Sequence, residues 1–343
     1  MIDPRDVHPD HGQSFFRGLV KQTLAGKATL AVHRRRRVPR TTFRAVRANR
    51  GDRGVPLPPE DPHRSFRGVY VLSAGPGSWD DVAEVVESIE HFEGDQAKVV
   101  VVDDATTDVR RRVVRERFPA VTVLRRRVSS GGPPGMFPLF AESFDWIRRA
   151  FAFDVLVKLD ADALLTGPAM AARAADAFAA DPTLGMLGTV VRADGKVEDF
   201  TYDSWVLAHE RRWSPQVRRL EAAARARGWD DTRAQAGVIV FGRKMLDRAA
   251  ADGWWRWRPP WWTLLQDDAA YGMITAAVGL RVGSWGGPGE PIACGQWRIP
   301  IDKQQVLDQG ALAVHTMRQG AHGESQDELR AFFRAARGAR AAS

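Results

Sequence analysis

Apolar and polar positions along this chain follow two alternating periods. Short apolar runs that end in glycine or acidic residues predict buried strands, whereas apolar residues spaced three and four apart predict helices. The strand-like runs are 68–75, 98–104, 121–124, 153–159, 184–191, 236–242 and 311–318. The helix-like segments are 79–92, 105–118, 137–151, 169–180, 214–228, 264–280 and the stretch from Ser325. Strands that alternate with helices predict a mostly parallel sheet with helices on both faces, which binds ligands beyond the carboxyl ends of its strands.

Two of the predicted helices begin with capping signals. Ser78, followed by Asp81, resembles a short capping box, in which the serine side chain accepts a backbone N–H of the first turn. Ser214 precedes Pro215, and Gly228 is placed to end that helix. These residues therefore predict where both helices start and where one of them stops.

The run F-D-V-L-V-K-L-D-A-D-A-L-L, from Phe153 to Leu165, ends its apolar part in two carboxylates. Its first half, interrupted only by Lys158, predicts a buried strand. Asp160 and Asp162 would share a face of that strand, about 6–7 Å apart along it. Two such acids repel unless a cation lies between them, and Mg²⁺ or Mn²⁺ is the kind of ion that carboxylates favour. The alternative is a pair of ordinary turn residues that follow a strand.

Further chemistry-bearing residues are predicted at the same edge of the sheet. Asp103 and Asp104 end the second strand, and His315 lies near the end of the last one. Asp267 and Asp268 begin a helix, where the helix dipole favours carboxylates. Each has a structural alternative: a helix N-cap, a first-turn charge, or a histidine that only packs.

Composition excludes several classes of protein. The chain has 343 residues, 44% of them hydrophobic, which is enough for one large α/β domain with extensions. Its single cysteine, Cys294, excludes an internal disulfide framework, and no apolar run reaches the roughly 18 residues of a spanning helix. We therefore expect a soluble, cytoplasmic protein. The net charge of +8 comes from scattered basic pairs and triplets, so no nucleic-acid partner is expected.

The pattern divides the chain into three parts. Residues 1–65 form a basic extension, 66–320 the main domain and 321–343 a C-terminal helix. Within the extension, a basic helix over 14–32 would lie on an anionic membrane surface, pack on the main domain or stay partly disordered.

Four motifs, in order over residues 66–320, resemble those of GT-A-fold glycosyltransferases. V-V-V-D-D-A-T-T-D is similar to the nucleotide-binding segment of family-2 enzymes, and K-L-D-A-D-A-L-L to their D-x-D motif. A-G-V-I-V-F-G-R-K-M-L and Q-D-D-A-A-Y-G-M-I-T-A-A-V-G-L resemble a strand and a helix start of β-1,3-galactosyltransferase-like enzymes. The sequence departs from the latter at Gln266, where the family has glutamate.

The resemblance implies a GT-A-like three-layer α/β/α sandwich and a metal-dependent sugar transfer. The donor would be a nucleotide-diphosphate sugar, in particular a UDP-sugar. The acceptor hydroxyl would belong to a carbohydrate, a lipid-linked molecule or a natural product. The match of Asp267 to the catalytic base of inverting members implies inversion, with Asp268 as the neighbouring candidate.

The same resemblance assigns the other candidate residues. The nucleotide-sugar-binding set is Ser73, Ala74, Asp103, Asp104, Lys158, Asp160 and Gly237. The set that would hold Mn²⁺ or Mg²⁺ is Asp160, Asp162 and His315, with Asp162 as the favoured direct ligand.

Two clusters of residues carry further expectations. The dense tryptophans would stack on acceptor sugars or meet a membrane, although at least half of them are expected to be core or loop-anchoring residues. They are Trp254, Trp255, Trp257, Trp261 and Trp262. Arg125–Arg127, after the third strand, would reach the diphosphate or remain a solvated face.

Three rival classes explain less of the pattern. A HAD-like phosphotransferase also has an aspartate pair after a strand, but that strand is normally the first, and here at least three precede it. A sugar-phosphate nucleotidyltransferase needs a glycine-rich loop after the first strand, where only Gly75 and Gly77 are found. A basic, non-enzymatic binding protein leaves the ordered acids unexplained.

Overall fold

The computed structural model describes residues 65–75, 78–104, 114–125, 136–191, 207–208, 210–212, 214–256 and 265–342. Several predictions fall outside these residues: the basic extension up to residue 64, the first part (105–113) of the predicted helix 105–118, and Arg126, Arg127, Trp257, Trp261 and Trp262. Among the described residues, no helix is long and apolar enough to cross a membrane.

A seven-stranded sheet forms the centre of the molecule, in the order β3-β2-β1-β4-β7-β6-β8. Its strands are β1 (Ser65–Ala74), β2 (Ala97–Asp103), β3 (Thr122–Arg125), β4 (Ala152–Leu159), β6 (Leu184–Val191), β7 (Arg233–Gly242) and β8 (Arg281–Ser284). Only β7 runs antiparallel to its two neighbours, and all other pairings are parallel. The predicted mostly parallel sheet is confirmed.

Helices cover both faces of this sheet, because the central strands are apolar on both sides. The helices are α1 (Trp79–Glu93), α2 (Met136–Ala150), α3 (Met170–Ala180), α4 (Pro215–Arg225), α5 (Arg243–Ala251), α6 (Asp267–Ala277), α7 (Lys303–Asp308) and α8 (Gln326–Ala342). Val69 and Val71 of β1 pack in one core with α2, α4, α5 and α6. Tyr70 and Leu72 of the same strand pack in the other with α1, α3 and α8. The fold is the expected three-layer α/β/α sandwich.

A second, three-stranded sheet begins where the chain leaves β4. It consists of β5 (Ala163–Leu165), β10 (Ala313–His315) and β9 (Ile292–Cys294), with β10 in the middle. The expectation that Asp160 and Asp162 share one face of a continuous strand is wrong. The chain leaves β4 after Leu159 and turns through these residues into β5, which belongs to the other sheet.

The capping predictions have different outcomes. Ser214 caps α4 as expected, because its Oγ accepts the Val217 N–H at 3.2 Å. Ser78 does occupy the N-cap position of α1, but its side chain caps nothing. Its Oγ instead accepts the Gly75 N–H at 2.9 Å and donates to the Gly75 carbonyl at 3.0 Å, so it closes the preceding turn.

The C-terminal helix belongs to the domain core. Leu329 and Phe333 of α8 are buried in the same core as α1 and α3. Arg330 of α8 donates to the Ala161 carbonyl at 3.2 Å, between the two aspartates of the turn. The C-terminal helix therefore contacts the turn that carries Asp160 and Asp162.

Candidate active site

The acids predicted at strand ends gather at one edge of the central sheet. Ala74 of β1 pairs with Asp103 of β2, and Leu72 pairs with Leu159 of β4, immediately before Asp160. The Asp104 N–H donates to the Ala74 carbonyl at 2.9 Å. The carboxyl ends of these three adjacent parallel strands thus bring both predicted acid pairs to the same edge.

Asp160, Asp162 and His315 converge at this edge from two sheets. One ligand-type atom from each lies within 4.8 Å of the others. The His315 Nε2 atom is 3.3 Å from Asp162 Oδ1 and 3.8 Å from Asp160 Oδ2. The small sheet makes this possible, because β10 carries His315 alongside β5, which follows the aspartate turn.

The remaining polar atoms of these three side chains are held by the protein. Asp160 Oδ1 accepts from Lys158 Nζ at 2.7 Å. Asp162 Oδ2 accepts from Thr316 Oγ1 and from Arg318 Nε, both at 2.7 Å. His315 Nδ1 lies 3.1 Å from the Gly295 carbonyl, to which it donates when it carries the proton, and 3.4 Å from Cys294 Sγ. The atoms that face one another are therefore Asp160 Oδ2, Asp162 Oδ1 and His315 Nε2.

This donor set fits a divalent cation. Histidines that bind metals usually donate their other ring N–H to a carbonyl or carboxylate, which orients the lone pair toward the ion. His315 has that arrangement, and the two carboxylates are likewise fixed through their second oxygens. A site of this kind needs little rearrangement to receive a cation.

The electrostatics of the three groups are strongly coupled. Burial raises the pKa of the Asp162 carboxyl, but the His315 imidazole, Arg318 and Thr316 outweigh it and hold that pKa well below its usual range. Burial raises the pKa of Asp160, and Lys158 and His315 only partly offset the effect. Burial lowers the pKa of His315, whereas Cys294 and Asp162 beside it raise the pKa well above 6.5. The Asp162 carboxylate and the His315 imidazolium thus stabilise each other's charged forms.

Gly237 of β7 makes room for the histidine. A Cβ atom at this position would lie 2.1 Å from the His315 ring, so any side chain there would displace the imidazole. The Gly237 carbonyl also accepts the Asp160 N–H at 3.0 Å. Gly237, expected among the nucleotide-sugar-binding residues, therefore seats two of the metal-type ligands.

Lys158 lies inside the protein, and this corrects the expectation that it contacts the nucleotide sugar. Its side chain is 1% exposed, and its Nζ atom lies 2.7 Å from Asp160 Oδ1 and 3.1 Å from Asp267 Oδ2. It also donates to the Ala236 carbonyl at 2.7 Å. Burial alone would lower the pKa of Lys158, but the two carboxylates raise it above its ordinary value.

The two acids that begin α6 have different partners. Asp267 faces Lys158 and, through it, Asp160. Asp268 Oδ2 lies 3.6 Å from Arg233 Nε, and its Oδ1 accepts the Ala269 N–H at 2.7 Å. Of the pair, Asp267 is the one that Lys158 links to the aspartate turn.

Trp254 and Trp255 belong to the core, the alternative expected for at least half of the tryptophan cluster, and do not line an acceptor groove. Their exposures are 3% and 2%. Trp255 Nε1 donates to the Leu246 carbonyl at 3.0 Å, and its ring packs edge-on against Phe144. The Arg219 guanidinium covers the Trp254 ring at 4.6 Å. Both rings are thus enclosed by the protein's own side chains.

Sequence reasoning missed the residues that hold Asp162 and His315 from behind. Thr316 and Arg318 lie within the predicted strand 311–318 but follow the shorter observed strand β10, and Gly295 follows β9, which was not predicted. The signal for Thr316 and Arg318 was available in H-T-M-R, where a hydroxyl and a guanidinium come shortly after the histidine.

Comparison with known proteins gives distant likenesses only. No protein-family model matches the sequence, and no curated protein matches it. Among solved structures, the chain is similar to a mannosyltransferase from Pyrobaculum calidifontis in complex with GDP-Man and Mn²⁺. The identity is 19% and the TM-score 0.40, over 78% of this chain and 66% of that one.

Two other solved structures give similar values. The bifunctional glycosyltransferase WbbM is 13% identical with a TM-score of 0.43, over 79% of this chain and 50% of that one. The galactosyltransferase LgtC, with donor and acceptor sugar analogs, is 11% identical with a TM-score of 0.42, over 79% and 95%. This chain therefore spans half of WbbM and 66% of the mannosyltransferase. Because the likenesses are so distant, the chemistry of this chain is inferred from its own residues.

Proposed function

We propose that this chain is a metal-dependent glycosyltransferase that moves a sugar from a nucleoside-diphosphate donor to an acceptor hydroxyl. The observation that carries the proposal is the convergence of Asp160 Oδ2, Asp162 Oδ1 and His315 Nε2 at the edge where parallel strands end. The order of the four motifs along the sequence supports the same reaction class.

The residues present fit a divalent cation, and Mn²⁺ is the favoured one. Carboxylates suit Mg²⁺ and Mn²⁺ alike, whereas an imidazole ligand favours a transition metal over Mg²⁺. Asp160, Asp162 and His315 would hold the ion. When bound, the ion would neutralise negative charge on the donor's diphosphate and so stabilise the departing nucleoside diphosphate.

Charge balance at the site supports an anionic donor. Three carboxylates, Asp160, Asp162 and Asp267, are in contact with two permanent cations, Lys158 and Arg318. The sum is 0 with His315 protonated, the form that its raised pKa favours, and +1 once a divalent ion binds and His315 becomes neutral. A site with that charge attracts a diphosphate only in the metal-loaded state, which predicts that the donor binds after or together with the ion.

The remaining assignments follow from position. Asp267 would accept the proton of the acceptor hydroxyl, which makes the reaction an inverting one. Of the residues expected at the nucleoside, Asp103 and Ala74 are fully buried, so Asp104 and Ser73 beside them would make the contact, with UDP as the favoured donor nucleotide. The acceptor would be a carbohydrate, a lipid-linked molecule or a natural product. A cytoplasmic location, with peripheral membrane contact through residues 1–65, completes the proposal.

Calorimetry with UDP and GDP, each with and without Mn²⁺, tests the proposal. We expect binding of at least one nucleotide that requires Mn²⁺ and is reversed by EDTA. Turnover is then measured as hydrolysis of a panel of nucleotide sugars. Release of phosphate from sugar phosphates, abolished by Asp160→Asn, would instead identify a HAD-like phosphotransferase. The absence of binding to any nucleoside diphosphate would contradict the transferase.

A further inference from the structure

The Lys158 ammonium is surrounded by groups of the protein, with hydrogen bonds to two of them and an ion pair to a third. An ammonium group has three N–H donors, and three acceptors lie close to this one. They are Asp160 Oδ1 at 2.7 Å, the Ala236 carbonyl at 2.7 Å and Asp267 Oδ2 at 3.1 Å. The Phe140 ring, 5.1 Å away, covers the ammonium from another side. A lysine placed in this way acts on the groups around it.

The acceptors come from three separate elements of the fold. Ala236 belongs to β7, Asp160 follows β4, and Asp267 is the first residue of α6. The cation therefore joins the first turn of α6 to the sheet directly behind the aspartate turn. The N-cap residue of α6, Gln266, makes no side-chain capping bond. Lys158 is thus a direct tie between the start of this helix and the candidate metal site.

We propose that Lys158 is a positioning residue that holds the metal-type ligand Asp160 and the candidate base Asp267 at a fixed separation. This inference rests on the proposed function. Both carboxylates are poorly exposed and like-charged, so without the cation between them they would repel each other. A base displaced by about 1 Å from the reacting hydroxyl loses about 100-fold in rate. The ammonium therefore keeps the Asp160 and Asp267 carboxylates at the separation that the reaction needs.

A merely structural lysine would make different predictions. If Lys158 only neutralises buried acids, its loss lowers stability and the yield of folded protein, but each folded molecule keeps its kcat. If it positions Asp267, its loss lowers kcat while the donor KM stays nearly constant. Its effect on kcat also disappears once Asp267 can no longer act as a base.

The experiment is a double-mutant cycle with Lys158→Met and Asp267→Asn, singly and together. Turnover is measured with Mn²⁺ and whichever of UDP-glucose, UDP-galactose or GDP-mannose the unmodified protein hydrolyses fastest. We expect Lys158→Met to lower kcat by about 100-fold and to leave the donor KM within about twofold. The double variant should match Asp267→Asn within about twofold. Losses that multiply, or an unchanged kcat in Lys158→Met, would overturn the proposal.

A matched control is available in Lys98→Met. Lys98 also lies on a strand of the sheet, donates to a backbone carbonyl, that of Ala120, and lies over an aromatic ring, that of Phe151. It has no place in the candidate site, so its loss should leave kcat unchanged. Should Lys158→Met fail to fold, the double variant, which removes the unbalanced charge of Asp267, still decides. A kcat about tenfold or more below that of Asp267→Asn would overturn the proposal.

A second readout needs neither metal nor sugar. Urea unfolding of the same four proteins should show that the midpoint shift of the double variant is clearly smaller than the sum of the single shifts. Additive shifts would show that Lys158 and Asp267 are not tied, and would overturn the proposal. If the shifts are coupled but the unmodified protein hydrolyses no nucleotide sugar, the ion bridge stands. The proposed function then fails, and the positioning role fails with it.

Discussion

Two buried ionic clusters lie on either side of the same turn, and they differ in whether the protein completes them. On α1 and α8, Glu84 accepts from Arg330 at 2.6 Å and from Arg334 at 2.8 Å, one bond to each carboxylate oxygen. Asp81 pairs with Arg330 at 3.2 Å. Two carboxylates thus meet two guanidiniums, and neither oxygen of Glu84 is left to bind anything else.

The cluster around Lys158 is built from the same kinds of groups but leaves two carboxylate oxygens that meet only an imidazole. Asp160 and Asp162 each use one oxygen on a protein partner and direct the other toward His315. A cluster whose carboxylate oxygens all meet guanidiniums has no ligand atom to offer, whereas converging carboxylates and an imidazole can bind a cation when the imidazole loses its proton. The contrast therefore separates a structural cluster from a candidate catalytic one without reference to any other protein.

The largest effect is expected from a substitution in the cluster that contains Lys158, Asp160 and Asp162. Asp162→Ala removes the carboxylate that faces His315 and is held by Thr316 and Arg318. Loss of the ion's charge stabilisation should reduce metal-dependent turnover by about 1000-fold or more. Mn²⁺ calorimetry and nucleotide-sugar hydrolysis measure the two losses, and circular dichroism should show an intact fold. Undiminished Mn²⁺ binding would remove Asp162 from the metal site.

Asp267→Asn should separate binding from turnover. The amide keeps the size of the side chain at the start of α6 but cannot take a proton from an acceptor hydroxyl. General-base catalysis contributes about 10²- to 10⁴-fold, so kcat should fall in that range while Mn²⁺-dependent nucleotide binding persists. Asp268→Asn is the neighbouring control, because Asp268 is paired with Arg233 instead. Normal turnover in Asp267→Asn would show that the base lies elsewhere.

Local pattern predicts the fold well where strands are long and buried. The valine-rich β1, β2 and β4 and the 184–191 strand lie where the sequence places them. The short strands β8 and β9 have only four and three residues, too few to show a period. The direction of β7 depends on the connection that precedes it. The apolar pattern of the strand itself does not indicate which way it runs.

The candidate site, like the fold, has one part that the sequence predicts and another that it does not. Acids after parallel strands can be predicted to meet, because the sheet itself brings the ends of its strands together. Their partners cannot be predicted in this manner. In the sequence, Lys158 only interrupts an apolar run, and its role appears once the fold brings Asp267 of α6 next to it. The need for glycine at position 237 likewise depends on the position of the His315 ring. Trp254 and Trp255 show that a dense aromatic run serves a core as readily as a sugar site.

Breaking the complete cluster should affect stability alone. Glu84→Gln removes the carboxylate that Arg330, which is 5% exposed, meets at 2.6 Å, and leaves it the pair with Asp81 at 3.2 Å. Removing one partner of a buried pair costs about 3–5 kcal/mol, whereas an exposed pair contributes about 1 kcal/mol or less. Asp154→Asn is the control for an exposed pair, since Asp154 is 45% exposed and pairs with Arg67, which is 55% exposed. Urea unfolding measures both, and turnover per folded molecule should remain unchanged in each. A large loss of turnover in Glu84→Gln would show that the two clusters are not separate in function.

The smallest expected effect is the pH dependence of that complete cluster. Burial raises the pKa of Glu84, but its hydrogen bonds to Arg330 and Arg334 outweigh burial and bring the pKa below its ordinary value of 4.5. A carboxyl group whose pKa is lower in the folded state contributes stability that is complete above the unfolded value and is lost as the pH falls through the folded value. The difference in urea midpoint between the unmodified protein and Glu84→Gln should therefore be widest near neutral pH and should close as the pH falls below 4.5. A difference that stays constant across that range would mean that the Glu84 contacts stabilise the fold by shape and not by charge.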